Sequence, residues 1–323
     1  MSKKNKNISK IQILRIIVQI LSLIIIPGIF VVTLSEIKEI YISIIHGKFD
    51  ITTILNMIEL IAIIPITVII GRFFCGWICA FGTFNDFVYM ISKKVFKLKY
   101  KIPESIDSKL KYAKYGGLLF LIVFVWTMGS KTLDGSSPWD AFAQLPNILA
   151  ATKGYTIGFI LLILITIGAV FIERFFCRYL CPLGAIFSLL SKVRILNISK
   201  TKDKCGKCRI CTNNCAMGIP MYKFDKIVSG ECINCFKCVD VCPRQNTKIT
   251  ILGKEVTAKV ASSISLVLFT ILYGSANALE HVIEVKSMYV SQQGSLVSSS
   301  KSSKYKDGVY RGIGKGYKEG LEL

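Results

Sequence analysis

The chain has 323 residues, 52% of them hydrophobic and 19% charged, with a mean hydropathy of +0.52 and a formal net charge of +21. Soluble domains rarely average so much apolar content, so the composition favours a membrane class. The Lys and Arg residues fall in blocks between apolar stretches, as orientation in a bilayer requires, and this pattern argues against nucleic acid as the partner.

Five stretches are predicted to span a hydrocarbon core, which needs about 17–25 helical residues. They run over Ile16–Leu34, Ile51–Gly71, Tyr115–Ser130, Gly154–Ile172 and Val260–Leu279. The third is short and is expected to rely on Lys114 and Lys131 snorkelling to the interfaces. The fifth, with Lys259 before it and Ala276-Asn277-Ala278 at its end, also resembles a signal peptide. Five Lys or Arg precede the first span through Arg15, nine lie in Arg72–Lys114 and sixteen in Arg174–Lys259. The intervening loops carry two each, Lys38 and Lys48, then Lys131 and Lys153. Positive-inside bias therefore predicts that the N-terminus, both Cys-x-x-x-Cys pairs (Cys75/Cys79 and Cys177/Cys181) and the 199–250 segment lie on the cytoplasmic side, with the tail outside.

Two eleven-residue segments repeat at an offset of 102: Arg72-Phe-Phe-Cys75-Gly-Trp-Ile-Cys79-Ala-Phe-Gly82 and Arg174-Phe-Phe-Cys177-Arg-Tyr-Leu-Cys181-Pro-Leu-Gly184. Each follows a predicted span, so the chain reads as a duplicated two-helix unit about a pseudo-two-fold axis. Cysteines four apart on a helix share one face. Two facing pairs would offer four thiolates, enough for a [2Fe-2S] or [4Fe-4S] cluster, with Arg72 and Arg174 offsetting its charge. Plain helix packing, a redox disulfide and another metal remain alternatives here.

The other eight cysteines form a ferredoxin run. Cys205, Cys208, Cys211 and Cys215, then Cys232, Cys235, Cys238 and Cys242, both read C-x₂-C-x₂-C-x₃-C. Three close thiolates wrap one cubane, and the fourth reaches across to the other cluster. This pattern assigns Cys205, Cys208, Cys211 and Cys242 to one [4Fe-4S] cluster, and Cys232, Cys235, Cys238 and Cys215 to a second; zinc is the competing reading. Lys200–Lys248 holds ten Lys or Arg against four acids, which suits either a membrane surface or an acidic donor.

At these residues the chain resembles the membrane-bound polyferredoxins of anaerobic respiration, such as the quinol-dehydrogenase-type subunit of periplasmic nitrate reduction and the regulator needed for nitrous-oxide reductase. The resemblance covers roughly 51–242. It departs where Ala80 and Ala216 follow Cys79 and Cys215, positions at which the family usually has proline. It implies electron passage across or into the membrane. The tail Tyr305-Lys-Asp-Gly-Val-Tyr310 through Tyr317 resembles the opening of an extracytoplasmic FMN-binding domain of the Rnf and sodium-pumping quinone reductase type, and FMN is expected only if that domain is completed.

Single residues add little. His46 and His281 are expected as unrelated interfacial side chains, Glu59 as an interfacial carboxylate, and Trp77, Trp126 and Trp139 as interfacial anchors. The expected architecture is an all-α integral membrane protein of about five transmembrane helices with a small α+β bicluster ferredoxin domain. Its parts are 1–50 (tail, first span and outer loop), 51–198 (duplicated membrane unit), 199–250 (ferredoxin), 258–280 (fifth span), 281–303 (linker) and 304–323 (start of a flavin domain). The expected function is electron transfer from a cytoplasmic ferredoxin, flavodoxin or dehydrogenase, through two [4Fe-4S] clusters and a third membrane cluster, to an outer flavoprotein, reductase or quinone. The runner-up is a maturation or regulatory factor that uses the same electrons on a partner's metal centre.

Overall fold

The computed structural model describes residues 9–47, 57–97, 102–127, 137–145, 155–201, 205–206, 208–279 and 282. Up to Tyr273 the chain forms one compact unit, so the ferredoxin run and the membrane helices before it share a single body; Gly274 onward is assigned to a second unit. The flavin-like tail and His281 lie outside the described residues.

The first helix, Lys10–Ile25, stops just before Pro27, which has no N–H to donate. The chain restarts as Ile29–His46 at an angle of 67°. The expected rod over Ile16–Leu34 is therefore a bent pair, with the break at Pro27-Gly28. Among the described residues two helices are long and apolar enough to cross a membrane, Glu104–Thr127 and Ala258–Leu279, and the bent pair makes a third if it is one span. The helices over the second and fourth expected spans, Ile58–Ile70 and Thr156–Phe171, have 13 and 16 residues. Sixteen residues reach only about 24 Å, short of a core of about 30 Å. Both stop where the Arg-Phe-Phe-Cys motif begins, at Gly71 and at the extended Ile172.

Three antiparallel strands, β1 (Leu196–Lys200), β2 (Thr247–Ile251) and β3 (Lys254–Val256), lie in that order. β1 and β2 pair from Leu196↔Ile251 to Lys200↔Thr247, so they bring together the two ends of the cysteine-rich run. Leu252 and Gly253, both at positive φ, form the two-residue turn between β2 and β3. The Ile195 amide donates to the Ile69 carbonyl at 2.8 Å, tying this sheet to the helix that precedes Arg72.

Two expectations about anchors need correction. Lys114 does not snorkel: it is fully buried and paired with Glu231. Trp77 is fully buried, stacks on Phe73 and donates its indole N–H to the Asn234 carbonyl at 2.9 Å. Trp126 packs on Tyr41 and Trp139 on Phe30, so both pack within the helix assembly. For Lys114 and Trp77 the physical reason is shared: Glu231 and Asn234 of the ferredoxin segment meet them where the hydropathy pattern alone would place water. His46 ends its helix exposed, and Glu59 accepts from the Tyr273 hydroxyl at 3.0 Å.

Candidate iron–sulfur sites

The two Cys-x-x-x-Cys motifs have matching backbones. Each starts with a five-residue helix, Phe73–Trp77 or Phe175–Tyr179, that contains the first cysteine. Each second cysteine lies beyond that helix and caps the next one, Ala80–Val95 or Pro182–Leu190. The amides of Cys79 and Cys181 donate to the carbonyls of Phe74 and Phe176 at 3.0 and 2.9 Å. This corrects the expectation of one continuous helical turn: each pair straddles a helix break. Pro182 suits the first position of the second helix. Ala80 starts its helix at the same place without proline, so that departure leaves the local geometry intact.

All four cysteines line one cavity with Phe30, Arg72, Phe74, Phe81, Phe176 and Leu183. Eight of these ten residues are pairs 102 apart: Phe74/Phe176, Cys75/Cys177, Cys79/Cys181 and Phe81/Leu183. The four cysteines are buried and make no disulfide. Among the described residues no three His, Cys, Asp or Glu side chains close round a single ion position. Four thiols round an apolar cavity are a donor set suited to an iron–sulfur cluster.

A second cavity is lined by Cys205, Cys208, Cys211 and Cys242 with Lys200, Arg209, Tyr222 and Arg244. These are the four cysteines the spacing groups together. Cys208 is exposed there, and the Arg209 guanidinium lies 4.4 Å from the Tyr222 ring centroid. In the other set, Cys232 and Cys238 are buried while Cys215 and Cys235 are partly so. Arg209 and Phe236, equivalent positions of the two runs, are both left-handed and open the short helices Ile210–Asn213 and Lys237–Val241. The run thus repeats in backbone as in sequence.

Burial pushes the Cys215 thiol up to about 12, with nearby Cys235 and Cys232 adding to the shift. Cys232 and Cys238 are raised by burial too. At Cys242 burial also opposes the thiolate, but hydrogen bonds from Asn246, Thr247 and Arg244 outweigh it and the group is lowered. Ligation requires thiolate, so a metal must displace protons at the three raised cysteines.

The buried cysteine set sits directly on the membrane motifs. Asn234, fully buried, donates from Nδ2 to the Ile70 carbonyl at 2.6 Å and accepts the Trp77 indole N–H at its own carbonyl. A Cβ at Gly76 would fall on the Ile233 carbonyl, so only glycine permits this approach. In the second motif Arg178, the counterpart of Gly76, packs against Gly218, while Lys111 donates to the Gly218 carbonyl at 3.0 Å. Each membrane motif therefore grips one part of the same ligand set, the 232–238 loop or the loop after Cys215. Glu231, the residue before Cys232, pairs with both Arg72 and Lys114.

The expected roles of the two motif arginines separate. Arg72 lines the cavity. Arg174 instead bonds Asp86 through Nε at 2.8 Å and Nη2 at 2.7 Å, and donates to the Cys75 carbonyl. Arg15 and Gln19 join the same carboxylate and also donate to the Gly76 carbonyl, at 2.9 and 3.2 Å. Asp86, Glu231, Asn234 and Gly76 were not marked by spacing. The available signals were an acid inside an otherwise apolar helical region and an acid abutting a cysteine motif.

A family model described as "4Fe-4S binding domain" matches the chain twice, over residues 52–99 and 156–200, one match on each Cys-x-x-x-Cys motif. An uncharacterized protein of Methanocaldococcus jannaschii is 35% identical over 242 residues, covering 73% of this chain and 86% of that one. The electron transport protein YccM of Escherichia coli is 28% identical over 232 residues, 71% of this chain and 65% of YccM. The ferredoxin-type protein NapH of Haemophilus influenzae is 27% identical over 192 residues, 56% of this chain and 62% of NapH. No solved structure matches. With its two matched iron–sulfur segments and these relatives, the chain belongs to the membrane polyferredoxin family of iron–sulfur electron-transport proteins.

Proposed function

We propose that this chain orders three redox sites along one path from a cytoplasmic donor into the membrane. Cys205, Cys208, Cys211 and Cys242 would hold a first [4Fe-4S] cluster, Cys232, Cys235, Cys238 and Cys215 a second, and Cys75, Cys79, Cys177 and Cys181 a third in the membrane cavity. Bound clusters supply one-electron storage and release. The protein supplies order and insulation. Exposed Cys208 marks the side open to a donor, and Lys200, Arg209 and Arg244 around it suit an acidic ferredoxin, flavodoxin or dehydrogenase. The Asn234 and Gly218 contacts hold the buried cysteine set against both membrane motifs, and aromatic rings exclude water from the four-cysteine cavity. The acceptor would be a quinone, or a flavoprotein or reductase at the outer face. The distribution of Lys and Arg supports several spans, with the ferredoxin part cytoplasmic and the C-terminus outside.

The observation that carries this reading is the convergence of four cysteines, from motifs 102 residues apart, on one cavity beneath the Cys232 loop. It is tested by iron and acid-labile sulfide per chain after anaerobic purification in detergent, with Mössbauer spectroscopy. Two cubanes plus a membrane cluster predict about ten to twelve irons, dropping to about eight when Cys75 and Cys177 are both changed to Ser. A constant eight would remove the membrane site and end the path at the ferredoxin.

A further inference from the structure

The four-cysteine cavity is symmetric in all but two of its lining residues. Its paired walls repeat at an offset of 102, yet Arg72 lines it while the equivalent Arg174 does not. The hydrogen bonds explain the difference. Every nitrogen of the Arg174 guanidinium is engaged, on Asp86 and on the Cys75 and Gly76 carbonyls. Arg72 is equally buried, at 0% exposure, but spends only Nη1, on Glu231 at 3.2 Å. Among the described residues its Nε and Nη2 have no hydrogen-bond partner. Nη2 lies over Gly184, where a Cβ would approach it to 2.8 Å, and the Gly184 amide donates to Cys181 Sγ at 3.1 Å. Two guanidinium N–H groups left unpaired beside four thiols are costly unless an anion meets them.

We infer that Arg72 sets the reduction potential of the cluster held by Cys75, Cys79, Cys177 and Cys181, donating its Nε and Nη2 hydrogens to that anionic group, while Arg174 has become a structural clamp. The inference rests on the membrane cluster proposed above. A cluster ligated by four thiolates is anionic and gains one more negative charge when it takes up an electron. A fixed cation and N–H donors at the cavity wall stabilise the reduced form and raise the potential. No bond or proton need change in that step. Glu231 opposes the effect, because it places a negative charge on the same guanidinium. Arg72 thus acts on the cluster directly, and its charge also lies one ion pair away from the ligand loop of the neighbouring site.

The test is a potentiometric titration, followed by EPR, of the signal that the Cys75→Ser, Cys177→Ser double variant abolishes, in full-length protein purified anaerobically in detergent. Arg72→Gln should keep the iron content, because Lys114 still pairs Glu231. It should shift that signal by at least tenfold toward the oxidised form at a given potential, about 59 mV for one electron. Arg72→Lys should fall between the two, since it restores charge without the forked donors. Glu231→Gln should move the potential the opposite way. Arg174→Gln should lose iron or thermal stability and leave the potential of the surviving sites unchanged. Equal potentials in wild type, Arg72→Gln and Glu231→Gln would overturn the assignment, as would an equal shift in Arg174→Gln. If the double Ser variant removes no iron and no signal, the underlying membrane cluster fails instead, and the two failures are distinct.

Discussion

At the scale of the residue, Asp86 shows how much of this site depends on groups that are not ligands. It sits at 12% side-chain exposure between Arg15 and Arg174, which are 3% and 0% exposed. Those arginines in turn hold the Cys75 and Gly76 carbonyls, so one carboxylate fixes the backbone of the first motif. Removing one partner of such a set strands buried charge, at a cost of about 3–5 kcal/mol. Asp86→Ala is therefore expected to lower the thermal unfolding midpoint in detergent and to lose iron from the membrane site first. A variant with wild-type midpoint and full iron would show that Arg15 and Arg174 find other partners. No spacing rule marks Asp86, because its significance comes from two cations 71 and 88 positions away in the chain.

At the scale of the element, the Cys-x-x-x-Cys segment is a helix break, with one cysteine on each side of it. The 231–236 loop docks just before it: the end of helix Ile58–Ile70 offers the Ile70 carbonyl and the next short helix the Trp77 indole N–H, both to Asn234. Asn234→Ala leaves the Ile70 carbonyl buried and unpaired, a penalty of about 1–3 kcal/mol. Gly76→Ala adds a clash with the Ile233 carbonyl. Both are expected to release the ferredoxin segment from the membrane motifs, seen as faster hydrogen exchange at 231–236. Slower electron delivery to the membrane site should accompany it, with the iron count of the ferredoxin cysteines retained. Unchanged exchange in both variants would mean the loop is held by something else. The alternation of apolar and basic segments was a good guide to where helices lie, but not to their ends. Pro27 splits one expected span, and the Arg-Phe-Phe-Cys motif cuts two others short.

At the scale of the whole molecule, the charge of +21 divides into parts with different uses. Arg15, Arg72, Lys114 and Arg174 are buried inside the protein, Arg15 and Arg174 sharing Asp86 while Arg72 and Lys114 share Glu231, so positive charge stays in excess there. Lys223, Lys237 and Lys248 in the ferredoxin segment are paired with Glu104, Glu173 and Glu255. Lys200, Arg209 and Arg244 cluster around exposed Cys208. Steering by such a patch is screened once the Debye length falls from about 10 Å at 0.1 M salt to about 3 Å at 1 M. The second-order rate of reduction by an acidic flavodoxin should therefore fall steeply over that range, and Arg209→Gln should flatten the dependence. A rate indifferent to salt would remove electrostatic docking as the basis of donor choice.

Sequence alone determined the candidate ligands: twelve cysteines, their grouping by spacing, and the two matched Cys-x-x-x-Cys motifs. That was legible because thiolate reach within a short segment is a local property, set by a few residues of backbone. The tertiary structure decided which segments meet. It brought motifs 102 residues apart to one cavity, placed the Cys232 loop on the first motif and Gly218 on the second, and gave Arg72 and Arg174 different work although both open the same Arg-Phe-Phe-Cys run. Those outcomes depend on burial and on donors and acceptors from distant parts of the chain. A repeat in sequence is symmetric, whereas the surroundings that packing supplies to its two copies are not.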